Sequence, residues 1–317
     1  TQAGCEDLAS RGSAVIADTD GPRARSRGAD VRVALAAVVL LLVWQGSVGT
    51  IRSSSAPEEA QASQNLVRHG RDVYLANCAV CHGESGDGNG MAAHMFLVRP
   101  RNLRRGLFKF RSTPSGSLPT DEDLLQTVTR GIRWTGMVGR SDLSEADRKA
   151  VVQYLKTFSP RFASERPTLP VAVPPAPPNN RDLVAEGRRL YRDADCANCH
   201  GDRGIGEGPS APGMKDDWGW PTRPSDLTWR PLKRGSALAG IYLTIATGLS
   251  GTPMPSYGDS LDGQEIWALV SYLESLVPIE HRLSPRRYLG EEQQGWMVVR
   301  MHGMMGPGMM RRMPMMR

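Results

Sequence analysis

Aromatic residues supply only 6% of the 317 residues, cysteine occurs five times, and there is a single long apolar run. Each scarcity removes a class of protein. So few rings, in a chain with 34 glycines and 23 prolines, imply much loop and leave room for a large cofactor in place of part of the apolar interior. Five cysteines are too sparse for a disulfide-stapled scaffold. The apolar run, Val33 to Trp44 (VALAAVVLLLVW) with a weaker extension to Ile51, has a strong core of 12 residues. That is short of the roughly 20 needed to span a bilayer as a helix. Length alone predicts about two domains of roughly 100 to 150 residues.

Four of the cysteines are paired in sequence: Cys78 with Cys81 and Cys196 with Cys199, each pair followed directly by a histidine, His82 or His200. The Cys-x-x-Cys-His string is the attachment signature of c-type haem. Two intervening residues place the thiols about one helical turn apart, so both can add to the two vinyl groups on one porphyrin edge. The adjacent imidazole then reaches the iron. A shared four-cysteine zinc site is the competing reading, but its pairs usually lie about 15 to 20 residues apart, and here 114 residues separate Cys81 from Cys196. A thioredoxin-like redox pair is disfavoured further by the lack of strand and helix alternation around either string.

An internal repeat organises the rest of the chain. Asn65-Leu66-Val67, Gly70, Tyr74 and Cys78 to Gly83 return as Asp182-Leu183-Val184, Gly187, Tyr191 and Cys196 to Gly201. HGESGDGNGM from His82 matches HGDRGIGEGP from His200 without a gap, and Gly131 and Gly248 each lie six residues before a methionine, Met137 and Met254. The copies close with LSEADRKAVVQYLKTF (143 to 158) and LDGQEIWALVSYLESL (261 to 276), whose apolar spacing predicts helices. Ser144 is the expected cap of the first, with Asp147 three residues on. Between the copies, residues 167 to 180 hold six prolines, the composition of a semi-rigid spacer.

The order of helix, Cys-x-x-Cys-His, Gly/Pro-rich loop, methionine and closing helix resembles the class I cytochromes c, in particular dihaem cytochromes of two such domains. The resemblance covers residues 63–160 and 181–278. It implies an all-α fold of two tandem domains, each wrapping one covalently attached haem c with His and Met as axial ligands. Cys78, Cys81, His82 and Met137 are then the first set, and Cys196, Cys199, His200 and Met254 the second. Met254 lies 54 residues after His200, between Pro253 and Pro255; Met137 lies 55 after His82 but has Gly136 and Val138 as neighbours. Met91, Met95 and His94 are the rivals of Met137. A loop-proline carbonyl often accepts the proximal imidazole proton in such proteins, and Pro209 is the candidate.

The expected organisation is a basic region with a signal anchor or signal peptide over 1–62 (apolar core 33–51), domains at 63–160 and 181–278, a Pro-rich linker at 161–180, and a Met-rich tail at 279–317. Arg23, Arg25, Arg27 and Arg32 precede the apolar core, an order that sends the downstream chain across the membrane. Both haem domains are thus expected on the periplasmic side of the cytoplasmic membrane. The first domain carries 14 Lys and Arg against 9 Asp and Glu, the second 10 against 13. Arg99, Arg101, Arg104, Arg105, Lys109 and Arg111 form a basic cluster. It reads as a solvated face, as partners of haem propionates, or as a docking site for an acidic redox protein; nucleic acid is not an expected target. From Met297 the tail holds nine of the 14 methionines, a low-complexity segment that could also take Cu(I). The expected function is electron transfer between respiratory or periplasmic redox partners, without catalysis. A dihaem enzyme such as a peroxidase or thiosulfate dehydrogenase, which needs an open or unusually ligated haem, is the alternative.

Overall fold

A computed structural model describes residues 55–96 and 98–283. The apolar segment 33–51, Cys5 and the methionines from Met297 onward lie outside them. In chain order the helices are α1 (Ser55–Asn77), α2 (Ala79–His82), α3 (Asp121–Arg130), α4 (Glu145–Lys156), α5 (Arg161–Ser164), α6 (Arg181–Asp193), α7 (Cys196–His200), α8 (Leu238–Thr247), α9 (Gly263–Ser275) and α10 (Ile279–Leu283). Among the described residues there are no strands, only isolated bridges such as Gly131 with Val138, and no helix is long and apolar enough to cross a membrane.

The repeat seen in sequence becomes a repeated crossing of first and last helices. Gly70 of α1 lies against Ala150 of α4, and Gly187 of α6 against Ala268 of α9. A Cβ added to these glycines would stand 2.1 and 1.9 Å from the respective carbonyl oxygens. Only glycine permits so close an approach. Next to each crossing a buried tyrosine ties the helix pair to the cysteine string: Tyr74 donates its hydroxyl to the Gly83 carbonyl at 2.6 Å, and Tyr191 to Gly201 at 2.8 Å. Their rings pack edge-on against Tyr154 and Tyr272 of the closing helices. We expect Gly187→Ala to cost about 3 kcal/mol through overpacking against backbone and to lower the melting temperature of the second domain by ~10 °C or more. Thermal unfolding followed by circular dichroism checks this; an unchanged transition would refute the close crossing.

Helix ends follow local chemistry. Thr120 with Asp123, and Asp262 with Glu265, form full capping boxes at α3 and α9, and Ser144 accepts from the Asp147 amide at α4, as its spacing predicts. In helix α9 every residue from Ile266 to Leu273 is buried, Ser271 included. The Pro-rich linker covers one side of it. Val171 and Val173 pack on the second-domain core, and Trp267 donates its ring N–H to the Pro174 carbonyl at 3.1 Å. The same segment is tied to the first domain, with the Val171 amide on the Ser112 carbonyl and Thr168 on the Ser117 hydroxyl. The spacer is thus held by both domains between Thr168 and Pro174.

Of the three expectations for the basic cluster, a free solvated face does not describe most of its members. Most of its members are spent on the seam between the two domains. Arg99 stacks over Trp220 at 4.4 Å and Arg101 over Trp218 at 4.3 Å, and Arg105 donates to the Asp217 carbonyl. Arg111 is 1% exposed and bonds to Thr247 and Ser250. Arg104 is exposed, with its backbone amide on the Asn102 side chain of its own domain. The excess positive charge of the first domain therefore meets aromatic rings and backbone carbonyls of the more acidic second domain.

Candidate cofactor sites

Each Cys-x-x-Cys-His string begins where a helix stops. Cys78 follows α1 directly and Cys196 opens α7, so the two thiols of each pair sit on one short turn beside the histidine. The chain then folds back on this turn in the same way twice: Gly88 bonds to the His82 carbonyl and Gly206 to that of His200. Gly90 and Gly208 bond to Cys81 and Cys199.

The imidazoles are fixed from behind by backbone. His82 Nδ1 lies 3.1 Å from the Arg101 carbonyl and His200 Nδ1 lies 2.8 Å from that of Ser225. A carbonyl only accepts, so Nδ1 carries the proton in both rings and Nε2 keeps its lone pair for a metal. Burial, the largest cause, pushes both imidazoles below their usual range and keeps them neutral. Pro209 does not accept the His200 proton as expected: it is exposed, and the acceptor is Ser225. The missed signal is a second repeat, Arg99-Pro100-Arg101-Asn102-Leu103 against Arg223-Pro224-Ser225-Asp226-Leu227. Leu103 and Leu227 anchor these strings on the Gly86 and Gly204 carbonyls at 2.7 and 2.6 Å. The acceptors fall 19 and 25 residues after their histidines, and that unequal spacing hides the match.

The methionine turns match bond for bond. The Ile132 amide donates to the Met137 carbonyl at 2.8 Å and that of Leu249 to Met254 at 3.1 Å. Thr135 and Thr252 accept from the Met137 and Met254 amides while donating to the Ile132 and Leu249 carbonyls. Gly131 and Gly248, at φ of +68° and +65°, end α3 and α8 and start both turns. Two prolines flank Met254 and none flanks Met137, so the Thr-x-Met hydrogen bonds, rather than proline, shape the turn. Both methionines are half-buried, as is Met95, whereas Met91 is 81% exposed and His94 is exposed.

In the second domain, Cys196, Cys199, His200 and Met254 line one cavity with Leu227, Ile241, Ile245 and Leu269. Its empty volume is about 1300 Å³, counting the part open to solvent. Lys109 of the first domain lines the same cavity, along with Lys233 and Arg234. Burial is the main reason the Lys109 ammonium falls to about 7, neighbouring Arg101 and Lys233 push the same way, and Asp216 offsets this only in part. An apolar slot with such cations at its wall fits a flat ring bearing carboxylates, as haem does. Burial also pushes the Cys78 and Cys196 thiols up to about 11. Such thiols are inert as redox nucleophiles, and among the described residues no three His, Cys, Asp or Glu groups converge as a metal site.

Fold and site together define a c-type cytochrome. Residues 184–277 match the family described as cytochrome c, and residues 65–155 the family of cbb3-type cytochrome c oxidase subunit III. A chain of the Kuenenia stuttgartiensis reducing HAO-like protein complex Kustc0457/Kustc0458 is 41% identical, with a TM-score of 0.65, over 66% of this chain and 96% of that one. The cbb3-type oxidase subunit CcoP of Azospirillum is 27% identical, covering 72% of this chain and 69% of its own length. For FixP of Azorhizobium caulinodans, 28% identical, the shares are 65% and 58%. The chain belongs to the dihaem c-type cytochromes: it carries two covalently attached haem c groups, and its function is electron transfer.

Proposed function

We propose that this chain is a non-catalytic electron-transfer subunit of a larger redox assembly, held on the periplasmic side of the cytoplasmic membrane by its N-terminal segment. Cys78 and Cys81 would attach the first haem and Cys196 and Cys199 the second. His82 with Met137, and His200 with Met254, would hold the two irons. When bound, the haem iron supplies a one-electron ferric and ferrous couple. The protein's part is to hold each imidazole by its Nδ1 proton, to present a thioether from a fixed turn, and to keep water out of an apolar slot.

The observation that carries this reading is the duplicated methionine turn. A site closed by histidine on one side and thioether on the other has no position for a substrate, and both domains build that turn with the same bonds. Matched proteins described as oxidase subunits and as part of a HAO-like protein complex support an assembly. The order of arginines before the apolar core supports export.

Potentiometric titration of the full chain should consume two electrons, and carbon monoxide should bind neither ferrous haem. Stoichiometric carbon monoxide binding at one haem of the unaltered protein would overturn the carrier in favour of an enzyme. Protease added to spheroplasts should cut both haem domains; their protection would overturn the placement.

A further inference from the structure

Each methionine turn is held by groups of the other domain. Thr247 and Ser250 precede Met254 by seven and four residues. The Arg111 guanidinium of the first domain donates Nη1 to the Ser250 hydroxyl at 2.6 Å and Nη2 to the Thr247 carbonyl at 2.5 Å. Thr247 ends α8, so a cation sits where the helix dipole leaves its carbonyls negative. Arg101 adds a bond from Nη2 to the Ser250 carbonyl at 3.2 Å while stacked on Trp218. A Cβ on Gly251, whose φ is +76°, would lie 2.3 Å from Arg101 Nη1, so a larger residue there would displace that guanidinium.

The reverse brace runs to the first domain. Arg133 and Trp134 precede Met137 by four and three residues. The Arg133 amide donates to the Lys233 carbonyl at 3.2 Å, and the Trp134 ring N–H donates to the Pro231 carbonyl at 2.6 Å. Trp134 has a φ of +61°, a left-handed conformation that a bulky residue adopts only when its surroundings compel it. The bond to Pro231 is one such constraint.

We infer that the two domains brace each other's methionine turns, and that Arg101, Arg111 and Trp134 are positioning residues for axial ligation across the seam. This rests on the reading of Met137 and Met254 as ligands. A thioether is displaced from iron when its turn drifts, so a lost brace shows as faster entry of a competing ligand. Arg101 also presents its own carbonyl to His82, and that bond survives any substitution of its side chain.

The test is the rate of imidazole binding to the ferric full-length protein, read one haem at a time. Met137→His closes the first haem with a second histidine, leaving the second to report; Met254→His does the converse. In the Met137→His background, Arg101→Met or Arg111→Lys should speed imidazole binding about fivefold, the factor one ordinary hydrogen bond is worth. Arg104→Met, which removes an exposed charge from the same cluster, should not. In the Met254→His background, Trp134→Phe should give about fivefold and Arg101→Met no change. Unaltered rates, or equal acceleration at both haems by Arg101→Met, would overturn the bracing. If either histidine substitution fails to turn one haem bis-histidine, the ligand reading falls, and this inference with it.

Discussion

Met254→Ala should open the second haem and leave the first closed. Ferric protein should then show one high-spin and one low-spin haem, about half of the weak far-red sulfur to iron charge-transfer band should vanish, and carbon monoxide should bind once per chain. The potential of that haem should fall by on the order of 0.1 V, a fraction of the roughly 0.8 V that axial ligands command, because thioether sulfur favours ferrous iron. Met137→Ala should do the same for the first haem. The result that would sink the assignment is a far-red band retained at full strength in Met254→Ala. Met214 lines the same cavity and would become the ligand.

Replacing both cysteines of the second string, Cys196→Ser with Cys199→Ser, should reduce covalent haem from two per chain to one. Acidic acetone should strip half of the pigment from the denatured variant and none from the parent. The effect should reach beyond the cofactor. Leu227, Ile241, Ile245 and Leu269 line a slot built around the ring, and exposing it to water forfeits roughly 25 cal/mol for each Å² of apolar surface. Unfolding of the second domain should therefore separate from that of the first. Two haems retained through acid extraction would refute the attachment sites outright.

Much of each site was legible because the chemistry is local. Thioether attachment and the proximal imidazole need Cys-x-x-Cys-His contiguous in the chain, so Cys78, Cys81, His82 and their copies stand out without any fold. The crossing glycines and buried tyrosines were legible as a repeat, since Gly70 with Tyr74 and Gly187 with Tyr191 keep one spacing. The carbonyl behind each imidazole was not. Any residue offers that group, so backbone position alone selects Arg101 and Ser225, and the side chain at Pro209 was a misleading cue. The prolines around Met254 misled in a milder way. They suggested a stiffness that Met137 lacks, whereas both turns depend on a threonine two residues earlier, at Thr135 and Thr252.

By itself the sequence determined the number of cofactors and the order of helices, because these depend on covalent chemistry and short-range periodicity. The tertiary structure alone decided what the arginines do. A basic cluster has one composition whether it faces water, a partner or a neighbouring domain, and only the folded seam puts Arg111 on Thr247 and Ser250, Arg101 on Trp218, and Lys109 in the wall of the other domain's cavity. The physical reason is that hydrogen bonds and cation–π contacts act over a few ångströms in space, and residues 136 positions apart in the chain become neighbours only when both domains are folded.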